Sequence, residues 1–356
     1  MNEIPKRILI VDDSATSREY LRHIIDQADG LETAGTAKNG IEAIRLVQTL
    51  KPDLVTMDVQ MPGMNGYDTA RQIMEIFPVP IVIVSGTVKT KDAVESFKIM
   101  EAGALAAIEK PAGPGHPNAD VMIEKLTRTI RLMSEIKVVT RKKRPVNQTS
   151  EQNYFGKKPV IKSNLITIPQ VVAIGASTGG PPALNEILSK LPEDFPYPVL
   201  IVQHIATGFL PGMVKWLSES VALNVKIPNN REPVLKGNVY FAPDGCHMGI
   251  NSNKQIVLTE GAPDTGVIPS VSRLFSSVAK NCKEKAVGIL LTGMGQDGAS
   301  GLKEMNQAGA FTIAHDKNSC VVFGMPAAAI KINAASQILS TEQIADFLTK
   351  SLKSKP

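Results

Sequence analysis

The chain has 356 residues, 43% hydrophobic and 21% charged, a composition that suits two globular domains, each with its own core. Its apolar runs stay short of the roughly 18 residues of a membrane span, and its start lacks a secretory pattern. Three scattered cysteines, Cys246, Cys282 and Cys320, make neither a disulfide framework nor a zinc motif, so a reducing cytoplasm is the expected setting. The net charge of +5 sits in one place: between Lys137 and Asn164, eight basic residues face a single acidic one, Glu151. That segment carries +7 and the rest of the chain −2. The folded domains therefore carry no charge signal for nucleic acid, and no membrane insertion is expected.

Arg7-Ile8-Leu9-Ile10-Val11 reads as a buried strand running into Asp12-Asp13-Ser14, with helix periodicity following in Tyr20, Leu21, Ile24 and Ile25. Asp53–Met57 is a second strand, ending in Asp58, and the loop Met61-Pro62-Gly63-Met64-Asn65-Gly66 follows. Ile81–Val84 ends in Ser85, and a weaker strand over Ala104–Ile108 ends near Lys110-Pro111. Strands alternating with helices imply a doubly wound parallel sheet, whose ligands gather at strand carboxyl ends. Asp12, Asp13, Asp58, Ser85 and Lys110 all lie at such ends. Converging carboxylates repel unless a cation joins them, and hard oxygen donors suit Mg²⁺. Taken singly, Asp12 and Asp13 suit helix capping and Lys110 a solvated surface.

Residues 5–128 resemble a response-regulator receiver domain of flavodoxin-like fold. The resemblance implies that Asp58 takes a phosphoryl group from a histidine kinase. It further implies that Asp12, Asp13, Asp58 and the Gln60 backbone carbonyl hold Mg²⁺, while Ser85 and Lys110 sense the phosphate. Where receivers usually carry an aromatic, three residues before the lysine, this chain has Ala107.

A helical stretch around Val121–Ile136 gives way to Arg141-Lys142-Lys143-Arg144-Pro145 and a polar run that cannot bury apolar surface. Residues 129–164 read as a basic flexible linker, with a nucleic-acid arm or a contact to acidic lipid as alternatives.

The second domain, residues 165–350, opens with Val171-Val172-Ala173-Ile174, then Gly175-Ala176-Ser177-Thr178-Gly179-Gly180, then Pro181-Pro182 and a helical stripe of Leu184, Ile187, Leu188 and Leu191. Ser177 thus sits between a strand end and a helix N-terminus, a place for a nucleophile but equally for an N-cap or a phosphate cradle. The strand Pro198–Val202 ends in Gln203-His204, a position suited to a general base. The strand Ala286–Leu291 runs into Thr292-Gly293-Met294-Gly295-Gln296-Asp297-Gly298. Ser177, His204 and Asp297 would top three strands of one sheet, as an acyl-transfer triad requires. His247 is a competing base, disfavoured because it follows a Pro-Asp-Gly turn.

Residues 168–350 are similar to the catalytic domain of the CheB family of chemotaxis protein-glutamate methylesterases. The likeness rests on Gly175–Gly180, Val202-Gln203-His204 and Leu291–Gly298. Weaker matches are Tyr240-Phe241-Ala242-Pro243 with His247, Pro269-Ser270-Val271, and Val322-Phe323-Gly324-Met325-Pro326. It implies a Rossmann-like three-layer α/β/α serine hydrolase, so that the whole chain comprises two doubly wound parallel-sheet domains joined by a linker. The implied activity is phosphorylation-activated hydrolysis of glutamate methyl esters on chemoreceptors, releasing methanol, with deamidation of receptor glutamines. Ser177, His204 and Asp297 would be catalytic and the Met294 backbone would line an oxyanion hole. Mg²⁺ would serve only the receiver. Ile268, Ser272, His315 and Ala327 depart from the family pattern and leave open a hydrolase of another two-component pathway. A silent receptor-binding module is a further alternative. A transcription factor is disfavoured, since residues 165–350 carry no helix-turn-helix pattern.

Overall fold

The computed structural model describes residues 4–86, 103–113, 115–136, 138, 169–261 and 266–351. The first domain is a five-stranded, all-parallel sheet in the order β2-β1-β3-β4-β5, built from β1 (Lys6–Val11), β2 (Leu31–Ala37), β3 (Leu54–Met57), β4 (Ile81–Ser85) and β5 (Ala106–Glu109). The cores of the inner strands β1, β3 and β4 are fully buried, as the continuous apolar runs require of a sheet covered on both faces, while the edge strands β2 and β5 are only half-buried. Helices α1 (Ala15–Gln27), α2 (Gly40–Leu50) and α3 (Gly66–Ile76) are capped by Ser14, Asn39 and Asn65 respectively. Helix α4 (Ala119–Ser134) buries Leu126, Ile130 and Met133. The expected domain boundary at residue 128 therefore falls inside this helix, because its apolar stripe continues past that point. Most of residues 129–164, the expected linker, lies outside the described residues.

The second domain holds a seven-stranded parallel sheet in the order β14-β13-β12-β6-β7-β9-β8. At its centre lies β6 (Val171–Ala176), flanked by β7 (Val199–Gln203) and β12 (Ala286–Leu290). Outward lie β9 (Asn238–Phe241) and β8 (Asn224–Lys226) on one side, β13 (Phe311–His315) and β14 (Gln337–Leu339) on the other. A two-stranded antiparallel ribbon, β10 (Cys246–Ile250) with β11 (Ile256–Glu260), is separate from that sheet. Helices α5 (Gly180–Leu188), α6 (Leu210–Ser218), α7 (Val271–Cys282), α8 (Ala299–Gln307), α9 (Met325–Lys331) and α10 (Thr341–Asp346) connect the strands.

Strand order reverses between β6 and β12 in this domain and between β1 and β3 in the first. Open parallel sheets form their ligand crevices at such reversals. Ser177 follows β6, Asp12 follows β1 and Asp58 follows β3.

Candidate functional site

The turn carrying Ser177 is held on every side. Its N–H donates to Thr292 O at 3.0 Å, and its carbonyl accepts Gly180 N–H at 2.8 Å. Gly179, at φ +76°, makes the left-handed step into α5, and a β-carbon there would lie 2.5 Å from Val321. Pro181 and Pro182 take the first helical positions, as the sequence implies. The backbone at Gly293 runs directly against Ser177: a β-carbon on Gly293 would come within 2.7 Å of Ser177 Cβ. Met294, half-buried, borders the same cavity as Ser177.

His204 follows β7, with its N–H donating to Ala176 O at 2.9 Å, and its Nε2 lies 3.0 Å from Asp297 Oδ2. Asp297 lies in the glycine turn that the sequence shows after β12, seven residues past Leu290. It stands just before α8 and meets the N-terminus of α7 from the side. Its Oδ2 accepts Val271 N–H at 2.7 Å. Its Oδ1 accepts the Ser270 hydroxyl and Ser272 N–H, each at 3.0 Å, and Gly298 N–H at 2.9 Å. Burial alone would raise the Asp297 carboxyl. The bonds from His204, Ser272 and Val271 overcome that and hold it well below the usual carboxylate range.

His247 is 2% exposed, and its Nδ1 accepts Ser270 N–H at 3.1 Å. Burial, with the Arg273 charge, depresses its pKa against the opposing pull of Asp297. With Nδ1 committed as an acceptor, this ring belongs to the structure around Asp297.

In the receiver, the ligand atoms of Asp12, Asp13 and Asp58 lie within 4.8 Å of one another. Lys110 Nζ stands 2.7 Å from Asp12 Oδ2 and 2.9 Å from Asp58 Oδ2, so one cation already bridges two of the acids. Burial pushes the Asp58 carboxyl up, offset only in part by Lys110. Three hard oxygen donors converging on one point fit Mg²⁺. Ser85 is buried at the end of β4, beside Lys110, whose N–H donates to Ser85 O at 2.7 Å. Gln60 is exposed, two residues past Asp58. Ala107 lies in β5 opposite Ile83, so the place of the usual aromatic holds a methyl group.

A cleft of about 1100 Å³ opens beside Ser177. Glu124, Lys125, Arg128 and Leu132 of α4 line one side, and Ser177, His204, Met294 and Asp297 the other. Met294 and Val321 also pack against the apolar cluster that α4 shares with the receiver sheet.

Several contributors escaped the sequence reading as functional residues. The Gln203 amide donates to both Ser177 O and His204 O, each at 2.8 Å, tying the two turns together. Thr292 donates its hydroxyl to Thr178 O at 2.9 Å and its N–H to His315 Nδ1 at 3.3 Å. Both lie inside motifs the sequence displays, but periodicity cannot say which side chain turns inward. Of the departures, Ser272 gives its N–H to Asp297, and its hydroxyl accepts Gly298 N–H at 2.7 Å.

Comparison with known proteins agrees with this architecture. A family model described as CheB methylesterase matches residues 172–348, and one described as response regulator receiver domain matches residues 8–120. A protein-glutamate methylesterase/protein-glutamine glutaminase of Hahella chejuensis is 46% identical, with 96% of this chain and 97% of that protein covered. One from Syntrophus aciditrophicus is 45% identical, covering 97% of each. The crystal structure of the Thermotoga maritima CheB methylesterase catalytic domain is 36% identical, covering 51% of this chain and 97% of that one at a TM-score of 0.49. Two parallel-sheet domains, the Ser177 turn at a strand reversal and full-length relatives of one activity converge, and the chain belongs to the protein-glutamate methylesterase/protein-glutamine glutaminase (CheB) family.

Proposed function

We propose that this hydrolase removes methyl esters from glutamate side chains of chemoreceptors during chemotactic adaptation, and that phosphorylation of Asp58 activates it. The observation that carries the reading is the His204–Asp297 hydrogen bond at the sheet reversal beside Ser177. Ser177 Oγ attacks the ester carbonyl and its proton passes to His204. With Nε2 facing Asp297, Nδ1 is the nitrogen left to receive it. Asp297 fixes that tautomer and stabilises the imidazolium. Backbone N–H groups near Met294 face the developing oxyanion, a kind of contact worth about 10²–10³ in turnover. Collapse expels methanol with the proton from His204. Water, deprotonated by the same imidazole, then releases glutamate and restores Ser177. Attack on a glutamine side chain by the same route releases ammonia.

Asp58 is the phosphoryl acceptor, supplied by a histidine kinase. Asp12, Asp13, Asp58 and the Gln60 carbonyl would hold Mg²⁺, which when bound offsets negative charge around the phosphoryl group. Lys110 and Ser85 contact the added phosphate. The position of α4 over the cleft supports an inhibitory role for the unphosphorylated receiver, relieved by a population shift on phosphorylation. A cytoplasmic location follows from this role.

The test is methanol release from methylated receptor membranes with Mg²⁺, with and without a small phosphodonor. Release that needs Ser177, and that rises with phosphodonor only when Asp58 is present, is the expected result. No release from wild type would refute the substrate. Removal of residues 1–164 should raise basal release, and a fall would refute the inhibitory role.

A further inference from the structure

We propose that Ser270 is a positioning residue of the esterase site, acting through Asp297, and that His247 holds Ser270 in register. The inference rests on the triad reading above and adds two residues to it. Ser270 caps α7: its hydroxyl oxygen accepts Arg273 N–H at 3.3 Å, which leaves the hydroxyl proton to be given away. It goes to Asp297 Oδ1 at 3.0 Å. From the same helix, Val271 and Ser272 give Asp297 backbone N–H groups fixed by the helix itself, and the Ser272 hydroxyl adds a side-chain bond. Ser270 adds its hydroxyl to this set at the helix cap, and it sets the rotation of the carboxylate whose other oxygen faces His204.

A capping serine also has a backbone N–H that needs an acceptor. In a capping box, the residue three positions later supplies it with a Glu or Gln side chain. Here that residue is Arg273, which has no acceptor to offer. His247 reaches across from β10 and provides Nδ1 instead, at 3.1 Å. The ring is buried, and its Nε2 finds no hydrogen-bond partner among the described residues. A buried polar atom left unmet is costly. The bond from Nδ1 to Ser270 is what this histidine provides in return.

The experiment uses the full chain with the phosphodonor present and reads methanol release as kcat and KM separately. Ser270→Ala should lower kcat by about tenfold to a hundredfold with KM unchanged, the range expected for losing one hydrogen bond to a charged group. Ser270→Thr, which keeps the hydroxyl and the cap, should restore most of it. His247→Ala should lower kcat about tenfold, and His247→Asn, whose Oδ1 can stand where Nδ1 does, should restore it. The downfield proton resonance of the His204 N–H bonded to Asp297, recognised by its loss in His204→Gln, should shift in Ser270→Ala and return in Ser270→Thr. A wild-type kcat in Ser270→Ala, a threonine variant no better than alanine, or an unmoved resonance would each overturn the proposal. A His204→Gln variant at wild-type rate would instead bring down the triad reading on which it stands.

Discussion

Asp297 and His204 share a 3.0 Å hydrogen bond, and the same carboxylate accepts four more donors from Ser270, Val271, Ser272 and Gly298. Five donors around one carboxylate leave no place for a proton on it. Asp297→Asn would set an amide N–H among those donors and offer His204 a donor where it needs an acceptor. The expected cost is about 10⁴-fold in kcat, as for the wrong imidazole tautomer in other triads. Steady-state methanol release beside a circular dichroism melt would check it. A loss below tenfold would mean that His204 is oriented by other contacts.

Two glycines bring the machinery close together. A β-carbon at Gly180 would fall 2.0 Å from Gln203 Oε1, and one at Gly293 would fall 2.4 Å from Met325 Sδ and 2.7 Å from Ser177 Cβ. Gly180→Ala must displace the Gln203 amide, breaking its bonds to Ser177 O and His204 O. A stability loss of about 2–3 kcal/mol is expected, from two buried carbonyls losing their donor and from overpacking. Gly293→Ala pushes on Ser177, the proposed nucleophile, and should show mainly in kcat. Equal melting points for wild type and Gly180→Ala would contradict the close packing.

Much of this was legible in the sequence because parallel strands bury both faces and so read as unbroken apolar runs. Val171–Ile174 with its glycine turn, and Ile8–Val11 ending in two aspartates, announce two buried strands and their carboxyl-end turns, while the strand order that makes both of them reversal points comes only from the fold. The sequence puts Asp297 in the glycine turn after β12, but that its carboxylate meets the N-terminus of α7 is invisible to periodicity. Gln203, Ser270 and His247 were not assigned their roles because each acts across a sequence gap. His247 and Ser270 lie 23 residues apart and meet only when β10 packs beside α7. Leu191 completes the helical stripe in sequence and is buried, yet α5 ends at Leu188.

Mg²⁺ should stabilise the receiver through Asp12, Asp13 and Asp58, whose ligand atoms already lie within 4.8 Å of one another. A ligand bound only by the folded state adds about 2.7 kcal/mol at a hundred times its dissociation constant. Asp13 is exposed, so Asp13→Asn should fold normally while losing most of the Mg²⁺-dependent rise in melting temperature. Thermal melts across a Mg²⁺ titration decide it. A full rise in Asp13→Asn would remove this residue from the metal site.

Leu132 of α4 lines the cleft, and Met294 and Val321 pack against the receiver's apolar cluster. Leu132→Glu keeps a good helix former but places a charge beside that contact. Basal methanol release without phosphodonor should rise several-fold toward the level of the chain lacking residues 1–164, while the phosphodonor response shrinks. Unchanged basal release would show that this contact does not hold the receiver in place.

His247 gives the catalytic domain a pH dependence of definite sign. Burial and Arg273 depress its pKa below the ordinary value of 6.5, so the fold prefers the neutral ring that accepts Ser270 N–H. Between the folded and the unfolded pKa the unfolded chain binds more protons, and stability rises with pH. The contribution is therefore complete above the ordinary histidine range and is lost as pH falls from there through the folded-state pKa. Asp297, also depressed, adds a loss of the same sign at lower pH, below the usual carboxylate range. In melts between pH 5 and 7.5 the wild-type chain should lose stability on acidification more steeply than His247→Asn, whose amide keeps the acceptor but does not titrate. The difference between the two curves isolates the histidine from every other titrating group. Parallel curves would mean that the ring does not hold Ser270 in its neutral form.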